Sequence, residues 1–450
     1  MSNSLLILKA KKKQKKYFKL IQNNNDSDSD DSLSDDDIDE LEKNTVGDIL
    51  NNRYIFLKYI GKGTFSRVWL VYDILENLCK AAKIFNDDSI DEYDSELLVM
   101  KKLNEESSNM YLVKFYDNFN YINNTKVIIT EVLGISLLDI INDINDKELP
   151  LNIDNVLNLY RQILEGFNYM HKKNIIHCDI KPDNILTNIL SYNIEKIINF
   201  INTMELSVIL ENFITKLIPE DYYDYKKNKR KHIKKKIRNK SYKALSDYII
   251  TKLNFININD EEKKEYDKQK ILDNNFCIKI IDFSNSELKD DISEDEIFIN
   301  EYRPIENILN IGYNCKVDIW VIGCIFYEIL TGLELFSNCC DNNLDQISSK
   351  VDKSKIHLYK ITKIFGKINK TILDNCDFYD TYFCNDKIKF KNSYLLDDIE
   401  PFNKQVERNI ILNFNTIIIN KLIDFIKLCF EYNPNIRLDC SNLLIVLNNF

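Results

Sequence analysis

At 450 residues and 53.2 kDa the chain is long enough for a two-lobed enzyme, or for two to three ordinary domains each with a substantial core. Its 60 basic and 70 acidic residues leave a formal net charge of -10, which argues against nucleic-acid binding over the whole surface but leaves room for a local basic patch. Eleven cysteines without CxxC or metal-ligand spacing read as reduced thiols, Met1–Leu20 shows no signal-peptide pattern, and no run reaches the ~20 apolar residues of a membrane span. The expectation is a soluble intracellular protein of the cytoplasm or nucleus, with no membrane partner.

Residues 1–45 read as a disordered charged tail. Seven lysines lie between Lys9 and Lys19, and Asp26–Glu42 then carries ten acidic residues, no basic ones and four serines. Opposite charge blocks of this kind bury too little apolar surface to fold on their own. A nuclear-import signal in the lysines and phosphorylation of Ser27, Ser29, Ser32 and Ser34 are the functional alternatives.

From Tyr54 the pattern is strand-like. Tyr54–Ile60 leads into Gly61, Lys62, Gly63, Thr64, Phe65, Ser66, Arg67 and Val68, a turn between two β-rich segments. Its glycines would let backbone close over phosphates, and Val68 would lie against an adenine ring; Ser66 stands where G-x-G-x-x-G has its third glycine. Lys83 follows in the short apolar strand Ala81–Phe85, where an unpaired ammonium is costly. Glu96, in a helical stretch over Asp94–Leu103 with Leu97 and Met100 available to a core, is the expected partner for Lys83 in holding the α- and β-phosphates. Val127–Gly134 reads as a buried strand ending in a connector: Thr130 would guard the back of a nucleotide pocket and leave it open to bulky inhibitors, and the backbone of Glu131–Leu133 would meet adenine.

Asn152–Lys173 carries Val156, Tyr160, Ile163, Phe167 and Met170 at steps of four and three, an amphipathic helix delivering the chain to His177–Leu186. That stretch places Asp179, Lys181 and Asn184 on one short turn between apolar anchors. Moving a phosphoryl group is mostly positioning and charge neutralisation. Asp179 would orient and deprotonate an attacking hydroxyl, Lys181 would sit against the transferring phosphoryl, and Asn184 would offer its carbonyl oxygen to magnesium.

The pattern then lapses for nearly ninety residues. Asn188–Leu217 has helical apolar spacing and Lys226–Lys243 carries eleven basic residues, so the expectation is an insert with a docked or transient helix and a solvated basic arm. It resumes at Phe276–Ile281, a β-run ending in Asp282, which would ligate magnesium. Ser284 stands where Asp-Phe-Gly has its glycine, and serine is less willing to take positive φ. Asp282 to Glu306 makes a short activation segment, Glu306 could pair with Arg437, and Val317–Thr331 is a long apolar helix whose Asp318 could bond the catalytic-loop backbone. Residues 337–402 read as irregular, followed by two closing helices.

Taken together, Val46–Tyr54, the Phe65–Leu70 turn, Glu131-Val132-Leu133-Gly134, Ile176–Pro182, Gly312-Tyr313-Asn314 and Asp318-Ile319-Trp320 resemble the SR-protein kinase family of the CMGC group, as does the insert itself. The resemblance covers about 46–187 and 276–450. It implies an α+β, bilobal protein-kinase fold, with a small β-rich N-lobe, a larger helical C-lobe and a long insert between the catalytic loop and the magnesium-binding Asp. The expected divisions are 1–45 tail, 46–133 N-lobe and hinge, 134–188 first part of the C-lobe, 189–275 insert and 276–450 the rest of the C-lobe. It further implies ATP and Mg²⁺, Ser/Thr transfer to protein substrates, Ala81 and Leu186 among the nucleotide contacts, and a monomer with no nucleic-acid partner. Such kinases are typically active without activation-loop phosphorylation, and Cys178 in place of the usual arginine agrees. The family docks arginine-rich peptides in an acidic C-lobe groove, but its carboxylate positions align here with Leu333, Ile356 and Lys363, with Glu334 and Asp352 nearby; Arg-Ser specificity is therefore a separate hypothesis. Two alternatives stay open: an inactive scaffold, motivated by Ser66, Cys178 and Ser284, and nucleic-acid binding by the basic insert.

Overall fold

The computed structural model describes residues 45–105, 109–121, 125–255, 265–288, 302–336, 350–389 and 399–450. The charged tail expected over 1–45, all but its last residue, and most of the activation segment, 289–301, lie outside these. The chain divides into two compact units: one holds the residues up to 90 with 116–132 and 192–265, the other 91–115, 133–191 and 266–450.

The first unit is built on a six-stranded sheet: β1 (Ile49–Leu50), β2 (Tyr54–Lys62), β3 (Ser66–Asp73), β4 (Leu78–Phe85), β5 (Phe115–Asn120) and β6 (Lys126–Thr130), in the order β1-β2-β3-β4-β6-β5. Its strands are apolar at consecutive positions because both faces are covered. On one face Leu50, Tyr54, Phe56, Val71, Ala82, Ile84, Val127 and Ile129 form a core. The other face presents Ile55, Leu57, Leu70 and Tyr72 to the insert.

Most of the insert, residues 192–265, is part of this unit. Helices Tyr192–Thr203, Leu206–Leu217 and Lys227–Leu253 pack Ile197, Ile201, Leu206, Leu210, Ile214, Ile237, Leu245 and Ile249 onto that second face. The stretch expected as a solvated basic arm is therefore the first two-thirds of a 27-residue helix. Buried Ile237, Ser241, Leu245, Ile249 and Leu253 recur every fourth residue along it, a stripe that the lysines between them hide from a hydrophobicity count.

In the second unit, helix Ile153–Lys172 begins at a reciprocal cap between Asn152 and Asn155 and buries Val156, Tyr160, Ile163, Phe167 and Met170 completely. It lies beside Lys316–Thr331, a helix buried on every side, with Tyr160 stacked on Phe326 at 3.8 Å and its hydroxyl donating to the Phe326 carbonyl at 2.7 Å. Helices Thr416–Lys427 and Cys440–Asn448 close the unit. The region read as irregular contains a 16-residue helix, Lys350–Phe365, and two single-turn helices, Lys370–Leu373 and Tyr379–Tyr382. Lysines at 350, 353, 355, 360 and 363 obscured its apolar spacing. No single described helix is long and apolar enough to cross a membrane.

Candidate active site

A short antiparallel ladder brings the two halves of the second unit's site together. Strand Ile185–Thr187 pairs with Ile278–Ile280 in the register Ile185↔Ile280. Asn184 precedes one strand and Ile281 and Asp282 follow the other, so residues nearly a hundred positions apart emerge at the same end; the Ile281 N–H donates to the Asn184 carbonyl at 3.0 Å.

The loop before that ladder is fixed from below by Asp318, which is fully buried at the start of helix Lys316–Thr331. Its carboxylate accepts from the His177 and Cys178 N–H groups at 3.0 and 3.3 Å and bonds His171 Nε2 at 2.8 Å. Cys178 has φ +65°, in the left-handed region, where a side chain costs about 1–2 kcal/mol. These bonds hold it there. Burial pushes the Cys178 thiol well above its ordinary pKa, with Asp318 and Glu287 adding to the effect, so the thiol stays neutral.

Asp179, Lys181 and Asn184 form one cluster. Lys181 Nζ donates to Asp179 Oδ2 at 2.9 Å, and Asn184 Nδ2 donates to the Asp179 carbonyl at 2.8 Å and to its Oδ2 at 3.2 Å. With its amide nitrogen so engaged, the Asn184 side-chain oxygen remains a hard, neutral ligand, the kind magnesium takes together with a carboxylate and phosphates. Asp282, at the same end of the ladder, would supply the carboxylate. Among the described residues no group of three or more His, Cys, Asp or Glu is placed to hold a metal ion.

At the Asp-Phe-Ser stretch the positive φ falls on Asp282, at +63°, rather than on Ser284. Ser284 therefore imposes no left-handed strain, and its hydroxyl donates to Asp282 Oδ1 at 3.0 Å. Phe283 is buried, its ring 5.7 Å from that of His177, which lies 5.9 Å from Phe167. His177 Nε2 bonds the Ile281 carbonyl at 3.0 Å. Glu96 is buried in helix Ile90–Asn104, and Leu186 lies on the ladder strand. Leu133 and Gly134 begin the connector. A Cβ on Gly134 would sit 1.6 Å from the Ile189 carbonyl oxygen, so only glycine fits.

The first unit carries the remaining expected residues. Gly61 pairs with Val68 and Lys62 with Arg67 across the β2–β3 turn, which the Gly63 N–H closes by donating to the Ser66 carbonyl at 2.9 Å; Thr64 and Phe65 form its tip. Val68, Lys83 and Ile128 oppose one another on β3, β4 and β6, as do Ala81 and Thr130. Directly paired residues share a face, so Val68, Ala81, Lys83 and Thr130 lie on one side of the sheet. Glu131 follows β6, its carbonyl accepting from the Thr130 hydroxyl at 3.2 Å.

Two anchors were not singled out from the sequence. His171 ends the helix that leads to the loop and reaches Asp318; its only signal was a histidine in a last helical turn. His357, on helix Lys350–Phe365, bonds the Arg303 carbonyl at 2.9 Å, and burial lowers its pKa to about 4, with Lys360 and Arg303 adding to the effect. Glu306 and Arg437, paired as expected and both fully buried, meet at 2.6 and 2.9 Å.

Comparison with known proteins gives the same reading. The Protein kinase domain family model matches residues 54–207 and 266–446, interrupted within the insert. The serine/threonine-protein kinase Doa of Drosophila melanogaster is 23% identical over 88% of this chain, and the serine/threonine-protein kinase AFC1 of Arabidopsis thaliana 28% identical over 67%. The chain spans 39% and 52% of the length of those two relatives. A crystal structure titled as the PF14_0431 kinase domain, 21% identical, superposes with a TM-score of 0.59 over 89% of this chain and 96% of its own. With three-quarters of its length inside the family model and the catalytic-loop geometry in place, this chain belongs to the protein kinase domain family.

Proposed function

We propose that the protein is a serine/threonine protein kinase that transfers the γ-phosphoryl of ATP to hydroxyls of protein substrates. The observation that carries the reading is the cluster of Asp179, Lys181 and Asn184 beside the ladder end that bears Asp282. The substrate hydroxyl oxygen bonds to the γ-phosphorus as the bond to the β–γ bridging oxygen breaks; Asp179 takes the hydroxyl proton and the electron pair leaves with ADP. Lys181, paired with Asp179 at rest, turns its ammonium to the charge gathering on the transferred group. Asn184 and Asp282 would hold Mg²⁺, which neutralises phosphate charge when bound. Lys83 of the first unit and Glu96 of the second are the residues this reading assigns to the α- and β-phosphates. The same reading assigns Gly61–Ser66 to the phosphates and Val68, Ala81, Thr130 and the Glu131–Val132 backbone to adenine in the first unit, and the Leu133 backbone and Leu186 to adenine in the second.

Magnesium-dependent transfer from labelled ATP to serine peptides tests this. Asp179→Asn and Lys83→Ala should each abolish it while leaving the folded state, read by circular dichroism, intact; transfer that survives both substitutions would refute the assignment.

For the substrate, we infer a Ser/Thr protein chain, with Arg-Ser repeats as the narrower class. The C-lobe positions bearing on that class are an exposed Leu333, a buried Ile356 and a half-buried Lys363, none able to pair with guanidinium; Glu334 is exposed beside Leu333, and the Asp352 side chain lies outside the described residues. Equal rates on an Arg-Ser repeat peptide and an arginine-free serine peptide would remove the narrower class and leave the kinase reading untouched.

A further inference from the structure

The long insert helix has two faces of opposite character. Its stripe of Ile237, Ser241, Leu245 and Ile249 is buried, while Lys227, Lys231, Lys235, Lys236, Lys240 and Lys243 are exposed. No acidic residue occurs between Asp224 and Asp247, and cations recur four apart at Lys227–Lys231–Lys235, Arg230–Lys234–Arg238 and Lys236–Lys240, where like charges repel. The stretch therefore concentrates positive charge, and at its end Lys243 pairs with Asp247 one turn on at 3.2 Å.

The described chain begins next to this helix, three residues after the acidic block ends in the sequence. Thr45–Gly47, the first described residues, lead into β1, and the Gly47 carbonyl accepts a short hydrogen bond from the Ser246 hydroxyl. Ile250 occupies the space a Cβ on Gly47 would need. From Ser246 back to Lys226 the helix runs about 30 Å at 1.5 Å per residue. An extended chain from Gly47 reaches about 17 Å by Glu42 and about 70 Å by Asp26, at roughly 3.3 Å per residue, so the acidic block can run alongside the whole basic stretch. Its ten carboxylates nearly match in number the eleven cations of 226–243.

We propose that Asp26–Glu42 docks on the basic face of helix Lys227–Leu253, an intramolecular electrostatic contact that covers this helix against other polyanions. Phosphorylation of Ser27, Ser29, Ser32 or Ser34 would tighten it by adding negative charge to the docked segment.

The test uses the full chain and carbodiimide, which joins carboxylates to amines only in direct contact. Mass spectrometry should find cross-links from Asp26–Glu42 to lysines 226–243 at ~50 mM salt and lose them at ~1 M, where the screening length falls to about 3 Å. On immobilised heparin, replacing the ten carboxylates of 26–42 by their amides should uncover the helix and raise the eluting salt. The shift should vanish when Lys231, Lys235, Lys236 and Lys240 are also changed to Gln. Cross-links spread over lysines elsewhere on the molecule, or heparin elution unmoved by the amide variant, would overturn the proposal. So would equal binding of a single-stranded RNA probe by wild type and amide variant, since the helix would then already be open to polyanions.

Discussion

The catalytic loop depends on one buried carboxylate, and Asp318→Asn tests how much. Asp318 accepts two backbone N–H bonds, from His177 and Cys178, and a third contact from His171. An amide keeps one acceptor oxygen and turns an N–H₂ towards a donor, so at least one charge-assisted bond is lost with its partner still buried. Such a bond is worth roughly 1.5–3 kcal/mol. Releasing Cys178 from φ +65° also lets the loop relax away from its native shape, and Asp179 is the next residue. If 2–3 kcal/mol of positioning is lost at the reacting centre, kcat falls roughly 30- to 150-fold. The KM for ATP should stay within about threefold, because no proposed nucleotide contact is touched. Steady-state kinetics at saturating peptide, beside urea unfolding of the same variant, gives both numbers. A variant that stays folded with kcat within about threefold of wild type would refute the view that Asp318 shapes the loop.

Two further outcomes follow from burial. Glu328, buried and accepting from the Tyr302 hydroxyl at 2.8 Å, has its pKa pushed from 4.5 to about 7, chiefly by desolvation, with Glu334 and Asp183 adding to the effect. A carboxyl whose native pKa lies above its unfolded value contributes full stability below about pH 4.5 and loses it as pH rises through 7. The loss amounts to at most about 3 kcal/mol, so urea midpoints should fall from pH 5 to pH 8 in wild type and flatten in Glu328→Gln. In the insert, Ile249→Ala empties a fully buried site and should cost about 2–5 kcal/mol in thermal or urea unfolding, against less than about 0.5 kcal/mol for Lys243→Ala on the exposed side of the same helix.

The grouping at the core of the candidate site could be read in the sequence because the proposed phosphoryl transfer demands particular residue types at short spacings. Asp179, Lys181 and Asn184 lie within six positions, and one turn brings them together. The Asp318 and Glu306–Arg437 contacts were also foreseeable, since a charged residue in an apolar stretch needs a partner. What stayed hidden was long-range or masked. Nothing local to Ser284 shows that the left-handed residue is Asp282. The helices at 227–253 and 350–365 carry so many lysines that their apolar stripes drop below notice, although one side of each is buried. The insert's placement against β2 and β3 depends on surface complementarity between segments more than a hundred residues apart, which no local window contains.

Because Ile55, Leu57, Leu70 and Tyr72 lie beneath the insert helices, two distant parts of the gene are bound to evolve together. A polar change on those strands would leave the helices without a seat, and loss of the helices would leave four large apolar side chains facing water. Kinases of this fold that lack an insert are accordingly expected to carry polar or small residues at the equivalent strand positions. Swapping the insert between relatives should succeed only when its sheet-facing partners travel with it.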